Sequence, residues 1–267
     1  MDYDGFATRM NENELDAIVP LQNFFKLRNH PSLDESESPF TPLTTVLKIV
    51  KQYIRCVVKR QQDLPSSSYD VVIISHIINK KRQDIYFGSI IRELKAEGYK
   101  VLVCYLNHTT YDFGSKPDEL IIPKSLGIKG DFYAIKKLLK LQAIKKKHLY
   151  DYSLFSYPNF YNQILRIYFK QLFSKIKFKL VICTFEGHPW ERIVFGESYK
   201  ANRYVQRAAY TAAPLFPDQI SMHLDLTKKY NPDVWFMSGG GQKNLIPNDS
   251  VLNKIQNIII GSERAIT

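Results

Sequence analysis

The hydrophobic pattern of this chain changes from irregular to alternating near residue 69. Before that point the chain is mostly polar, apart from segment 41–60, whose apolar residues recur at helical spacing. From residue 69 onward, short apolar runs of strand length alternate with longer segments of helical periodicity. Because strands that alternate with helices form βαβ units, this pattern predicts an α/β fold with a doubly wound, mostly parallel sheet.

The apolar runs and the periodic segments give the expected order of elements. The predicted strands are 69–76, 100–106, 179–184, 203–210, 233–237 and 257–260. The predicted helices are 84–97, 130–147, 158–176, 189–201 and 217–229, with a short helix between the last two strands. Gly98 follows the first of these helices and is expected to end it in a left-handed conformation.

Composition places the chain among globular proteins. Its 267 residues are 45% hydrophobic and 13% aromatic, which is enough for a packed core and excludes a disordered chain. Cys56, Cys104 and Cys183 are isolated and lack CxxC spacing, so we expect small buried hydrophobic residues rather than a metal or redox site. No other group of residues has metal-ligand spacing, and we expect no metal.

The basic charge indicates the kind of partner. A net charge of +11, from 37 basic and 26 acidic residues, favours nucleic acid, an anionic membrane face or a phosphorylated substrate. The excess is concentrated in the predicted helices 130–147 and 158–176, where lysines are interleaved with apolar residues. Such basic amphipathic helices suit an anionic bilayer surface. A solvated lysine face over an ordinary core stripe is the alternative.

The most informative segment is 184–192, which joins strand 179–184 to helix 189–201. Ligands of open α/β sheets bind at the carboxyl ends of the strands, where Glu186 and His188 are expected to lie. Glu186 could accept a proton from a hydroxyl nucleophile or hold a sugar hydroxyl, or it could only cap the helix dipole. His188 could bind a phosphate beside free backbone N–H groups, or it could be an N-cap without a ligand.

Three further residues could line the same site. Trp190 could form an aromatic wall for a base or a sugar, or it could pack in the core. Glu191 lies near the third helical position, where it could contact a ligand or act only as a capping-box residue. His76 ends the first strand and could face the same cleft, or it could be a structural histidine.

A second candidate site follows strand 233–237. It consists of Ser238, Gly239, Gly240, Gly241 and Lys243. Glycines between a strand and a helix let a phosphate approach backbone N–H groups, and Lys243 could add positive charge. The segment matches neither GxxxxGK[ST] nor GxGxxG, and a tight turn that needs positive φ would also explain it.

Two parts of the sequence support a family resemblance. The first is the run at a strand end, Glu186-Gly187-His188-Pro189-Trp190-Glu191-Arg192. The second is Pro232-Asp233-Val234 with the glycine segment that follows it. Roughly residues 180–245 resemble bacterial surface-carbohydrate (capsule or O-antigen type) biosynthesis proteins of the GT-B glycosyltransferase superfamily, which carry an E-G-x-x-W-E-R element there. The resemblance implies transfer of a sugar from a nucleotide sugar to a glycan or lipid-linked acceptor, with neither a metal nor a separate cofactor. Glu186 would then be the base or an acceptor-hydroxyl ligand, with His188 and the glycine segment near phosphate.

The resemblance also implies a domain organisation. An N-terminal helical extension, 1–68, would pack on a Rossmann-like GT-B N-terminal domain, 69–230, and a second Rossmann-like domain would begin at 231 and be incomplete at 267. No apolar run approaches the roughly 18 to 20 residues of a membrane span, and the N-terminus lacks the basic and apolar regions of a signal peptide. We therefore expect a cytoplasmic protein that contacts the inner face of the membrane peripherally.

Two other classes of protein remain open. A non-catalytic partner or scaffold in a polysaccharide-assembly complex is favoured by the short second domain. A basic nucleic-acid-binding α/β protein is favoured by charge alone. Because the basic residues alternate with aliphatic ones and no recognised nucleic-acid module occurs, we expect no nucleic-acid partner. The donor, the acceptor, the linkage and the oligomeric state are not defined by the sequence.

Overall fold

The computed structural model describes the larger part of the chain. The described residues are 16, 19–20, 46–51, 63–81, 84–109, 111, 113–114, 116–148, 156–212, 220–248 and 250–261, without the side chains of 141–148 and 220. Of the predicted helix 41–60, the described part, 46–51, is helical. The remainder of that helix, Cys56 and most of the expected extension 1–68 lie outside the described residues.

One parallel sheet runs through the described part of the chain. Its strands are β1 (Val71–Ile77), β2 (Val101–Asn107), β3 (Glu119–Ile122), β4 (Leu180–Thr184), β5 (Gln206–Thr211), β6 (Val234–Met237) and β7 (Gln256–Ile259). The seven strands lie in the order β3-β2-β1-β4-β5-β6-β7, and every neighbouring pair is parallel. This arrangement confirms the predicted Rossmann-like α/β fold.

Helices connect the strands and cover the sheet. They are α1 (Gly88–Ala96), α2 (Gly127–His148), α3 (Tyr157–Lys175), α4 (Pro189–Ala201) and α5 (Ile220–His223), with 3₁₀ helices at Gly240–Leu245 and Val251–Lys254. The cap predicted for the first helix is confirmed, because Gly98 has a φ of 85° and its N–H donates to the Lys95 carbonyl.

Two hydrophobic clusters form the core, one on each face of the sheet. Val72 and Ile74 of β1 belong to a large cluster that includes α3 and α4, whereas Val71 and Ile73 belong to a smaller one with Phe87 at the start of α1. A strand that is covered on both faces reads as a continuous apolar run instead of an alternating one. This explains why β1 was recognisable in the sequence. The described cysteines, Cys104 and Cys183, are buried in the large cluster, as predicted.

The prediction of a second domain that begins at 231 is wrong for the described residues. β6 pairs with β5, Ala208 lying opposite Val234, and β7 pairs with β6, Val234 lying opposite Gln256. The backbone hydrogen bonds of β5 therefore continue through β6 into β7, so that 234–259 extends the first sheet.

Two further predictions about elements need correction. The predicted helix 217–229 is helical only at α5 within its described part, and irregular chain with a turn at 227–230 follows α5 as far as β6. β3 was missed, since it has only four residues and lies between Pro117 and Pro123 in a stretch that reads as a loop. Prolines on both sides of so short a run are typical of loops.

The basic residues of α2 and α3 differ in their exposure to solvent. Lysines 136, 137, 140, 170 and 175 are exposed. In contrast, Arg166 of α3 is turned toward α4, where its Nε lies 3.1 Å from Glu197 Oε1. α3 contacts both α2 and α4 and buries most of its apolar side chains. Arg166 is therefore not available to an outer basic surface, because α3 packs between α2 and α4.

Candidate functional site

The strand order places the topological switch point of the sheet between β1 and β4, and we call the carboxyl edge at this point the crevice. From β1 the chain proceeds outward through β2 to β3, then crosses back to place β4 on the other side of β1. Adjacent strands whose connections leave in opposite directions define the switch point of an α/β sheet, where ligands bind outside the carboxyl ends. His76 near the end of β1 and Thr184 at the end of β4 meet there, with 3.0 Å between His76 Nε2 and Thr184 Oγ1.

His76 forms the floor of this crevice. Its Nδ1 lies 2.8 Å from Nε2 of His108, the residue that follows β2. The rings of Tyr86 and Trp190 each lie 5.2 Å from the His76 ring, between centroids. His76 is buried and hydrogen-bonded through both ring nitrogens, so a structural role is present together with its position at the carboxyl edge. Trp190 is likewise buried, with its indole packed edge-on against this imidazole.

The loop between β4 and α4 is organised by Glu191. The carboxylate of Glu191 accepts the backbone N–H groups of Glu186, Gly187 and His188 at 2.8, 2.9 and 2.8 Å. Burial raises the pKa of the Glu191 carboxyl, and these three donors oppose the rise. Because Glu191 is closed to solvent and occupies these N–H groups, it acts as a capping residue. A phosphate was expected to bind His188 beside free backbone N–H groups. The N–H groups of residues 186–188 are not free, because Glu191 already accepts them.

Glu186 and His188 point to solvent from the same loop. The exposed fractions of their side chains are 28% and 47%, and Glu186 Oε2 lies 3.9 Å from His188 Nε2. Partial burial lowers the pKa of His188, and the nearby Glu186 carboxylate acts in the opposite direction. His188 is therefore neutral near pH 7, with an anionic group beside it that would stabilise its protonated form.

The rim of the crevice includes residues that the sequence analysis missed. His108 is exposed when the whole residue is counted, although its ring is partly buried. This partial burial lowers the pKa of His108, and the positive charge of Lys124 lowers it further. The Nζ of Lys124 donates to the Thr109 carbonyl at 3.3 Å. His108 follows β2 directly, so the strand-end rule that selected Glu186 would have selected His108 as well.

A buried arginine fixes the segment beneath the loop. The Arg192 guanidinium donates to five acceptors between residues 221 and 231, which are the carbonyl oxygens of Ser221, Met222, Leu224 and Tyr230 and the side-chain oxygen of Asn231. The guanidinium carbon, Cζ, lies 4.8 Å from the centroid of the Phe185 ring, and burial lowers the pKa of Arg192 to about 10. Arg192 therefore connects α4 to the chain that leads into β6.

The glycine segment lies at the same edge of the sheet, after β6, with β5 between it and β4. The Ser238 N–H donates to Gln242 Oε1 at 3.0 Å, and Gly239 is extended with a φ of −170°. None of the three glycines has positive φ, so the alternative of a positive-φ turn is wrong. A Cβ at Gly239 or Gly241 would meet nothing within 4 Å. Lys243 is exposed. The phosphate role of this segment stays a prediction.

The described residues contain neither a metal-binding cluster nor a membrane-spanning helix. Among them, no group of three or more His, Cys, Asp or Glu side chains could hold a metal ion. Their helices include none that is both long and apolar enough to cross a bilayer. Independence from a metal remains an expectation that follows from the resemblance.

The sheet order and the crevice define this chain as a Rossmann-like α/β protein with polar groups at its switch point. No family model, curated protein or solved structure matches the chain. The resemblance to GT-B glycosyltransferases therefore remains an expectation from the sequence, based mainly on residues 180–245 and more weakly on the βα unit at 70–106.

Replacing Gly187 with alanine is expected to lower the free energy of unfolding by about 2–3 kcal/mol. Gly187 has a φ of 86°, and an added Cβ would lie 2.1 Å from Ser221 Oγ. Gly98→Ala is a matched control, because Gly98 has a φ of 85° and a Cβ there would meet nothing within 4 Å. Urea unfolding of both variants would separate the steric clash from backbone strain. Equal losses would show that the contact with Ser221 relaxes freely.

Proposed function

We propose that this chain is a glycosyltransferase-like protein that transfers a sugar from a nucleotide-activated donor to the hydroxyl group of a glycan or lipid-linked acceptor. The observation that carries the proposal is the Glu186–His188 pair. Both side chains are partly exposed, they lie 3.9 Å apart, and they follow β4 at the switch point of the sheet. A neutral imidazole beside a carboxylate is suited to removing a proton from a hydroxyl group.

In this mechanism His188 is the general base and Glu186 stabilises the imidazolium that forms. His188 takes the proton of the acceptor hydroxyl while that oxygen forms a bond to the anomeric carbon of the sugar. The bond between the anomeric carbon and the donor phosphate oxygen breaks, and the nucleotide leaves with the electron pair. The lowered pKa of His188 keeps it unprotonated at neutral pH, which favours this role over contact with a phosphate.

The remaining residues of the crevice would position this pair. His76 is bonded to both His108 and Thr184, so it joins the ends of β1, β2 and β4 beneath the loop. Glu191 holds the loop backbone from behind. His76 and Glu191 are therefore placed to keep Glu186 and His188 in one arrangement before a substrate binds. Such preorganisation lowers the activation free energy.

The leaving nucleotide needs a positively charged site at the same edge. Lys243 and the segment 238–241 are the candidates that the resemblance implies. The absence of positive φ and of crowding at Gly239 and Gly241 supports them, since the described fold does not itself require glycine at these two positions. Small residues there would let a diphosphate approach the backbone closely.

Nucleotide binding tests the proposal. Isothermal titration with the diphosphates of uridine, guanosine, adenosine and cytidine is expected to give binding to one or more of them. A dissociation constant near 1 mM would correspond to about 4 kcal/mol. Lys243→Ala should weaken the binding, whereas Lys95→Ala removes an equally exposed lysine from α1 and should not.

The two failures of this test have different meanings. Binding that is insensitive to Lys243→Ala would move the nucleotide site away from the glycine segment but leave the Glu186–His188 pair in place. Absence of binding to every nucleotide, together with absence of sugar transfer from a panel of nucleotide sugars, would reject the transferase proposal. The scaffold class would then replace it.

A further inference from the structure

The outer face of α2 exposes several large apolar side chains. The exposed fractions are 68% for Ile128, 66% for Phe132, 53% for Leu139 and 47% for Tyr133. These residues do not serve the core, because α2 contacts the large hydrophobic cluster through Ala134 and Leu138, which are buried. The helix therefore has one apolar face toward the core and a second, unpartnered one among the described residues.

Three of these four apolar residues follow a line along the helix. At about 100° per residue, Ile128, Phe132 and Leu139 lie within about 40° of one another around the axis. Lys129, Lys136 and Lys140 form the neighbouring line, centred about 80° further round. All six side chains are exposed. We call these six residues the docking face.

The charged side chains on the outer surface of α2 are all positive among the described residues. The helix contains seven lysines and one acidic residue, Asp131. Asp131 is buried and faces inward, where it accepts hydrogen bonds from the hydroxyl of Ser125 and the N–H of Leu126. The described outer surface of α2 thus combines positive charge and apolar side chains, without an acidic residue.

We propose that the docking face binds an anionic lipid bilayer. The lysines would pair with lipid phosphates, and the adjacent line of Ile128, Phe132 and Leu139 would enter the boundary between headgroups and acyl chains. A solvated lysine face accounts for the charge but not for the exposed apolar line. A nucleic acid would meet the lysines and leave the aliphatic side chains without a partner, since its bases stack on aromatic rings. The proposal does not depend on the transferase proposal.

The docking face begins at the same edge of the sheet as the candidate site. α2 begins shortly after β3 reaches the carboxyl edge of the sheet. Lys124, which lies between them, is bonded to Thr109 at the end of β2, and its charge acts on His108. A chain docked through this face would hold the crevice near the bilayer. If the transferase proposal also holds, this arrangement favours a lipid-linked acceptor over a free glycan.

Vesicle flotation tests the docking face. The full chain is expected to bind vesicles of equal parts phosphatidylcholine and phosphatidylglycerol, and to bind pure phosphatidylcholine at least tenfold more weakly. Replacing Lys129, Lys136 and Lys140 with glutamine should lower the affinity about 100-fold, at about fivefold for each lysine. Replacing Lys95, Lys177 and Lys228 with glutamine makes the same change in net charge at other exposed positions, and should lower it less than threefold.

A second measurement tests the apolar line. The variant Phe132→Trp places a new indole on the apolar line. On anionic vesicles its emission is expected to shift to shorter wavelength and to be quenched by brominated acyl chains. The parent chain, whose Trp190 and Trp235 are buried, is the reference. Ile128→Ser with Leu139→Ser should reduce binding at least tenfold, while the thermal unfolding of this double variant stays within a few degrees of the parent.

Four outcomes would overturn the proposal. Two concern affinity for vesicles: an equal loss of affinity in both lysine triple variants, or equal affinity for both kinds of vesicle. The other two are no binding to vesicles at all, and an emission wavelength of Phe132→Trp that does not change when vesicles are added. Tighter binding of duplex DNA that is lost with the α2 lysines, without vesicle binding, would assign the face to nucleic acid instead.

Discussion

Substitution of Arg192 by methionine is expected to lower the free energy of unfolding by about 4 kcal/mol or more. Arg192 is fully buried, and its guanidinium serves five acceptors between residues 221 and 231. Methionine is also long and unbranched, but it cannot donate a hydrogen bond, so all five oxygens lose the guanidinium as a donor. Chemical denaturation followed by circular dichroism measures the loss.

Two companion variants separate the buried network from a general effect of losing a positive charge. Arg192→Lys keeps the charge but not the planar fork of donors, so an intermediate loss of about 2–3 kcal/mol is expected, and the folded state stays measurable. Arg203→Met removes an exposed arginine that contacts only its neighbour Tyr204 among the contacts described, and it should change stability by less than about 0.5 kcal/mol. Similar losses for Arg192→Met and Arg203→Met would contradict the role assigned to the network.

Substitution of His188 by asparagine is expected to lower the rate of sugar transfer by about 10²–10⁴-fold, if the proposed function holds. Asparagine retains polarity and approximate size but cannot accept the proton. The rate constant for the most active donor and acceptor pair is the measurement. His223→Asn is the control, because His223 lies outside the crevice, beside Ser250, and should leave the rate within about threefold.

The pH dependence distinguishes a base from a merely structural histidine. His188 must be unprotonated to act, and its pKa is lowered from the usual value near 6.5, so kcat/KM should fall with decreasing pH below about 6.5. The Glu186 carboxylate raises this pKa, and its removal in Glu186→Gln should therefore move the acidic limb to still lower pH. An unchanged limb in Glu186→Gln, or full activity in His188→Asn with unchanged stability, would remove the pair from the mechanism.

Much of the sheet could be predicted from local patterns. β1, β4 and β6 were expected at 69–76, 179–184 and 233–237, and they are found within two residues of those limits. They were recognisable because strands buried on both faces are short apolar runs bounded by polar residues. The prediction of a helix over 217–229 was wrong. The path of this segment is set by hydrogen bonds to Arg192, about 30 residues earlier in sequence, and not by its own periodicity.

The candidate site was only partly predictable. Glu186 and His188 were selected because they follow a strand and precede a helix, and the structure places them together at the carboxyl edge. His76 was also selected as a strand-end residue, but its contacts were not foreseen. His76 meets His108 across 32 residues of sequence and Thr184 across 108 residues. No local pattern reports such contacts, because they depend on which strands become neighbours.

Sequence alone determined the alternation of strands and helices, the positive charge and the position of the loop 185–188 between β4 and α4, since each depends on residues close together in the chain. The tertiary structure decided that 234–259 extends the first sheet instead of starting another domain. It also decided that Glu191 binds the loop backbone and that α3 is buried while α2 is left with an exposed apolar line. These outcomes depend on strand order and on helix packing. Strand order is the result of competition among distant segments for the same sheet edges and the same apolar faces, so it is a property of the whole fold.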